Sequence, residues 1–248
     1  MYKGLRKNSD YNDIVKECMS MSSVEVSGIP VAADYRVEVR LEAKKLGVTR
    51  SAPFLLDYLA TGLALSRGKI MCGGYVGVER VEKLGKTGII VYGTTMRMRG
   101  ERCVEKPERL SLRLLNSIYR DFSTRLPKRG CPIAVHRLAF YTLGSRGHVF
   151  RFFVVDPSRH AAAYKLAGII SALSSKLPNE PGVVVSTGRL SDDMVRALSR
   201  AGIRVVISFH HPLLSGLLEA KKLGVTLALQ DPHTGKLRAF GGNTPVDE

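Results

Sequence analysis

Three short apolar runs, Phe152–Val155, Val183–Ser186 and Val205–Ser208, have the length and β-branched content of fully buried strands. The segments between them carry a helical period. Leu166, Ile169, Ile170, Leu173 and Leu177 recur at steps of three and four, as do Met194, Val195, Leu198 and Ala201. Strand, helix, strand, helix and strand at this spacing predict βαβ crossovers with parallel pairing. Upstream, Val31–Glu42 alternates loosely as a strand through Tyr35, Val37, Val39 and Leu41. Ser51 reads as an N-cap ahead of Pro53, with Phe54, Leu55, Tyr58, Leu59 and Leu63 forming a helical face that Gly68 ends. Tyr75–Val81 and Gly88–Thr95 read as a hairpin, Leu112–Phe122 as an amphipathic helix, and Ile133–Leu143 with His148–Val155 as a second hairpin. A further helix at Leu213–Leu223, a strand at Val225–Gln230 and a turn into Lys236–Phe240 come after the central unit, and a short helix is expected around Asp13–Met19. The break at Leu126–Gly130 divides the chain into an N-terminal α+β part, residues 1–127, and an α/β domain, residues 128–248.

The two strand-to-helix junctions of the central unit hold its most suggestive polar residues. Asp156-Pro157-Ser158-Arg159-His160 precedes one helix and Ser186-Thr187-Gly188-Arg189-Leu190-Ser191 the other. In open parallel sheets such junctions gather on one edge beside helix N-termini, where anions are well received, and Arg adds bidentate phosphate recognition. The plainer alternative makes Ser158 and Ser191 simple N-caps and leaves the arginines solvated.

Composition narrows the partners. The 248 residues, 44% apolar and 24% charged, suit an ordinary globular protein. No apolar run reaches transmembrane length, and the N-terminus has no apolar signal core, so a cytoplasmic protein without a membrane association is expected. The formal net charge of +16 favours a polyanionic partner. No aromatic-interleaved basic signature supports nucleic acid.

Four cysteines, Cys18, Cys72, Cys103 and Cys131, are widely spaced, with no CxxC pair, so free thiols are expected in a reducing compartment. Cys103 lies in the charged loop Met96–Arg109 beside Arg102, with Arg99 and Lys106 near. Cations favour the reactive thiolate, which makes Cys103 the candidate working thiol, although Glu101 and Glu105 offset part of that effect. His136, early in the second hairpin, reads by itself as a hydrogen-bonded structural residue.

Ordered pieces of the chain resemble the formate dehydrogenase accessory proteins, the FdhD-like sulfurtransferases. Asp156 to Gly168 is similar to that family's DVGRHNAxDKxxG segment, matching at Asp156, Arg159, His160, Ala162, Lys165 and Gly168. Thr187-Gly188-Arg189-Leu190-Ser191 with Met194-Val195 resembles SGRxSxEMV, Ala201-Gly202-Ile203 resembles AGIP, Gly224-Val225-Thr226-Leu227 resembles GLTL, and His136 matches the histidine of TGxxHxA. Thr49 to Ile70 is loosely similar to RTPGxxxELALGFLLTEGII. The chain departs from the family at its CGxCG sulfur-handling motif. Cys103 is the only cysteine in the equivalent loop, so one thiol of the pair is missing there.

The resemblance implies an α/β, cytidine-deaminase-like three-layer fold with a mixed sheet, beside a smaller N-terminal α+β domain, in a homodimer. The absence of HxE with PCxxC separately excludes deaminase zinc chemistry, and no permanently bound metal is expected. The resemblance further implies a molybdenum or tungsten bis(molybdopterin guanine dinucleotide) cofactor as a substrate-like ligand. A cysteine desulfurase would be the sulfur donor, and formate dehydrogenase or a related molybdo- or tungstoenzyme the client. Cys103 would carry a persulfide. Arg159, Lys165 and Arg189, with Gly188 in its turn, would receive phosphate, and His136 and His160 would hydrogen-bond near the cofactor. Lys165 lies one turn inside its helix, where pairing with a neighbouring carboxylate is the alternative. Three readings stand, in this order: persulfide transfer through Cys103, a non-catalytic nucleotide or cofactor chaperone that has lost it, and last a basic nucleic-acid-binding protein. Whether the chain is an enzyme is thus left open.

Overall fold

The structure, a computed structural model, describes residues 23–27, 29–97, 103–126, 132–145, 147–177, 179–231, 236–242 and 246–247. The helix expected at Asp13–Met19, together with Cys18, Cys131 and residues 127–130 of the expected interdomain break, lies outside the described residues.

Among the described residues the first elements are an antiparallel pair, β1 (Ser23–Val26) and β2 (Ile29–Ala32). It continues through β3 (Tyr35–Leu41), β4 (Lys44–Ser51), helix α1 (Leu56–Ser66), β5 (Gly74–Leu84) and β6 (Gly88–Arg97). These strands form a sheet in the order β4-β3-β6-β5, with β3 and β6 parallel and the other pairs antiparallel. The single strand expected over Val31–Glu42 is therefore two, β2 and β3. Ser51 does not cap a helix; it ends β4, and α1 starts five residues later.

The rest of the chain runs β7 (Leu110–Ser111), α2 (Leu112–Arg125), β8 (His136–Gly144), β9 (Gly147–Asp156), α3 (Arg159–Ala172), β10 (Gly182–Ser186), α4 (Asp192–Arg200), β11 (Val205–Ser208), α5 (Leu214–Leu223), β12 (Thr226–Gln230), β13 (Leu237–Phe240) and β14 (Val246–Asp247). Six strands form one mixed sheet in the order β13-β12-β11-β10-β8-β9. The parallel pairing expected for β10 and β11 is present, and β12 extends it. β9, however, does not pair with β10. The β8–β9 hairpin inserts β8 between them, antiparallel to both, so the α3 crossover spans one strand.

Alternation along the buried strands sorts their side chains to two faces. Val184, Val206, Leu227 and Leu229 join a core that also takes in α1, α3, α4 and the inner face of the N-terminal sheet through Val37, Val39 and Val91. Val183, Val185, Val205, Ile207 and Ala228 face the other way, onto Leu115, Ile118 and Phe122 of α2. The result is a three-layer arrangement about a mixed sheet, with a smaller N-terminal sheet stacked on the inner helices.

Helix α3 is the axle of this arrangement. The spacing predicts one apolar stripe, but residues Ala161 to Ser171 are buried on every side, because the helix is enclosed by both sheets and by α1. Contact with α1 is backbone to backbone. A Cβ at Gly62 would fall 1.9 Å from the Tyr164 carbonyl oxygen, and one at Gly168 would fall 2.1 Å from that of Tyr58. No side chain larger than hydrogen fits at either point without moving the helices apart. No described helix is long and apolar enough to cross a membrane.

Candidate functional site

The sheet brings four chain segments to one edge. β10 and β11 run parallel and end together at Ser186 and Ser208. β8 runs the other way and begins there at His136, whose register partner is Asp156 at the end of β9. The N-terminus of α3 comes next at Arg159, and the turn after β10 supplies Gly188 and Arg189.

Buried hydroxyls fix that turn. Gly188 N donates to Ser186 Oγ at 3.1 Å, while Ser186 Oγ and Ser208 Oγ both lie within donating distance of the Gly188 carbonyl, at 3.1 and 3.4 Å. Thr187 ties the turn to β8: its N–H donates to the Arg137 carbonyl at 3.0 Å, and its Oγ1 accepts from Arg137 N at 2.9 Å. Gly188 then packs against the other segments. A Cβ there would meet Arg159 Cβ at 3.0 Å and His136 Nδ1 at 3.3 Å.

The electrostatics around these residues are cationic. Burial, and next the neighbouring Arg159 guanidinium, push His136 below the ordinary histidine pKa, against the opposing pull of Asp156. Burial likewise lowers His160, with Asp193 opposing. Both rings are thus neutral at pH 7. Arg159 Nε is buried and has no hydrogen-bond partner among the described residues, a cost that a bound acceptor would remove.

The two helix N-termini differ. Ser158 caps α3, accepting from Ala161 N at 3.4 Å, and the first turn of α3 holds no acidic residue. Ser191 makes no capping hydrogen bond to α4; its hydroxyl instead lies 2.9 Å from His160 Nε2. The first turn of α4 carries Asp192 and Asp193, which already complement its dipole. An anion is therefore received better at α3 than at α4.

Lys165 is buried behind this edge and does not open onto it. It is fully buried and reaches Asp156 Oδ2 at 2.7 Å and the Ala52 carbonyl at 3.1 Å, with Nζ 3.9 Å from the Phe54 ring centre. Asp156 also accepts from Ser51 Oγ, Ala52 N and Ser158 N. Burial pushes the carboxyl up and the ammonium down, while their contact opposes both shifts. The pair joins β4, β9 and α3 and sets the entry of α3 onto the edge. This is the carboxylate pairing left open for Lys165, in place of a phosphate contact.

Cys103 is not at this edge either. The residue after it, Val104, packs on Gly182 and Gly202, and Glu105 bridges to Pro181, all at the start of β10 or the end of α4. The ends of β10 are about 13 Å apart at ~3.3 Å per residue, so one chain holds its arginine turns and Cys103 on opposite edges of the sheet. Nor is Cys103 a lone free thiol. It is bonded to Cys72, in the turn between α1 and β5, with a Cα–Cα distance of 5.7 Å. The expectation of four unpaired cysteines is corrected on this point. Cys72, with His210, which lies close enough to add to the lowering of the His136 pKa, was not legible as part of any site.

The sequence profile of the FdhD/NarQ family matches residues 79–231, from β5 through β12, and so takes in Cys103 and both junctions. The chain belongs to the FdhD/NarQ family. Its fold is similar to that of a candidate formate dehydrogenase accessory protein from Desulfotalea psychrophila, with a TM-score of 0.61 at 22% identity over 89% of this chain and 94% of that one. No curated protein matches the chain significantly. Cys72 lies outside the span matched by the FdhD/NarQ profile.

Proposed function

We propose that this FdhD/NarQ protein is an accessory factor for formate dehydrogenase or a related molybdo- or tungstoenzyme. In this reading it binds the bis(molybdopterin guanine dinucleotide) cofactor through a diphosphate at the edge built by His136, Arg159 and Gly188. The observation that carries the proposal is the buried Arg159 Nε without a partner, beside a glycine turn that lets another group approach closely. The α3 N-terminus and the charge of +16 suit the same anionic ligand. Arg159 would hold the phosphate oxygens, and neutral His136 and His160 would offer hydrogen bonds. Arg189 is exposed in the same turn and would add charge from the rim.

Once the cofactor is bound, two observations pull in different directions over the chemistry. The distance between Cys103 and the arginine turns favours a cofactor chaperone without chemistry, because one chain cannot hand sulfur directly across the sheet. The exposure of Cys103 beside a second sulfur favours a persulfide carrier supplied by a cysteine desulfurase. A homodimer would bring a second Cys103 into play.

Calorimetric titration with guanosine diphosphate tests the binding reading. Arg159→Ala is expected to weaken binding roughly tenfold to a hundredfold, the worth of a charge-assisted hydrogen bond. Cys103→Ala should leave it unchanged. Absence of binding by the intact protein overturns the proposal.

A further inference from the structure

Cys72 and Cys103 are 31 residues apart and are brought together by two separately anchored segments. On one side, the Met71–Gly74 turn is closed by Gly74 N donating to the Met71 carbonyl at 2.9 Å. It is pinned to α3 by Ser171 Oγ, which donates to the Gly74 carbonyl at 2.7 Å. On the other, Val104 is seated over Gly182 and Gly202, where a Cβ would come within 2.6 and 3.2 Å of it. Asn179 Nδ2 adds a bond to Glu105 Oε1 at 2.6 Å. Neither cysteine is held only by the other, so the two sulfurs stay neighbours when the bond between them is reduced. Cys103 is exposed, whereas Cys72 is half-buried. Access from outside thus favours Cys103 as the sulfur that meets a partner.

We propose that Cys72 is the resolving thiol for sulfur carried on Cys103, supplying from elsewhere in the chain the second thiol that the Cys103 loop lacks. The inference rests on the persulfide-carrier reading. In the first step the Cys103 thiolate attacks the outer sulfur of a donor persulfide. A bond forms from Cys103 Sγ to that sulfur, the donor's own S–S bond breaks, and the donor leaves as its thiolate. In the second step the Cys72 thiolate attacks Cys103 Sγ. The Cys72–Cys103 bond forms, the bond from Cys103 Sγ to the outer sulfur breaks with its electron pair, and hydrosulfide departs with the proton. The carried sulfur is reduced by two electrons and the two cysteine thiols are oxidised to the disulfide seen in the structure. A dithiol protein reductant would restore both thiols by exchange, becoming a disulfide itself. Release as hydrosulfide frees the sulfur to diffuse, which relieves the need for Cys103 to touch a ligand on the far edge of the sheet.

The test is to reduce the full chain, remove the reductant, load it with inorganic polysulfide, and monitor hydrosulfide release and intact mass. Wild type should gain one sulfur, about 32 Da, on Cys103, then release one hydrosulfide as Cys72 and Cys103 become linked in the peptide map. Cys72→Ala and Cys72→Ser, used together so that a folding defect in one does not decide the result, should keep the adduct and release hydrosulfide roughly tenfold more slowly or worse. Equal release from wild type and both variants overturns the role of Cys72 while leaving Cys103 a carrier. No adduct on Cys103 in any of the proteins overturns the carrier reading and this inference with it.

Discussion

Gly188 sits so close to Arg159 that a Cβ on it would lie 3.0 Å from the Cβ of the arginine. The turn after β10 and the start of α3 thereby act as one wall, and the half-buried Arg159 side chain, with its Nε out of solvent, depends on that fit for its position. Gly188→Ala must push α3's first turn or the His136 ring aside by a few tenths of an ångström. We expect roughly 1–3 kcal/mol of destabilisation, the usual cost of overpacking, and weakened guanosine diphosphate binding. Urea denaturation and calorimetry on the same preparation measure both.

The Asp156–Lys165 pair should dominate stability more than function. Lys165→Met leaves a buried carboxylate without its cation and is expected to cost about 3–5 kcal/mol. Asp156→Asn with Lys165→Met removes both charges and should cost less than the two single changes summed, as a double-mutant cycle in urea would read.

At the crossing of α1 and α3, Gly62→Ala and Gly168→Ala each set a methyl against a carbonyl oxygen. The obstacle is backbone, so no rotamer relieves it. Each should lower stability by about 3 kcal/mol or more, beyond the ordinary gain of alanine in a helix. Thermal unfolding of each variant against wild type measures the loss.

The histidines set a pH dependence with a definite sign. His136 and His160 both titrate below the ordinary value of 6.5 in the folded protein, chiefly because they are buried. Between their folded values and 6.5 the unfolded chain binds more protons, so stability rises with pH across that window and falls as pH drops through it. Urea midpoints at descending pH should show this loss, and His160→Asn should flatten it.

How much of this was visible in the residues depends on range. β10, β11 and the helices between them were legible because their apolar runs and periods are local. That Arg159 and Gly188 share an edge could be read from the handedness and direction of the crossovers. The place of β8 was not legible: a hairpin strand inserted between β9 and β10 leaves both with the same buried pattern that direct pairing would. The burial of α3 was underestimated for a related reason. Its Ala and Gly positions look like a weak polar face until α1 is seen lying against them. Nothing local marks Cys72, since its meeting with Cys103 depends on how the α1–β5 turn, pinned to α3, reaches the Cys103 segment seated on the start of β10 and the end of α4. Lys165, nine residues after Asp156 and nearly two turns inside a mostly apolar helix, carries the sequence signature of a structural cation.

The central claim is that the edge formed by Ser158–Ala163 and Ser186–Ser191 is an anion site for a guanine dinucleotide. Hydrogen exchange of the full chain with and without guanosine diphosphate tests it most directly. The predicted result is slowed exchange confined to those two segments and the start of β8. No change there, or protection centred on the Cys72–Cys103 edge instead, would contradict it.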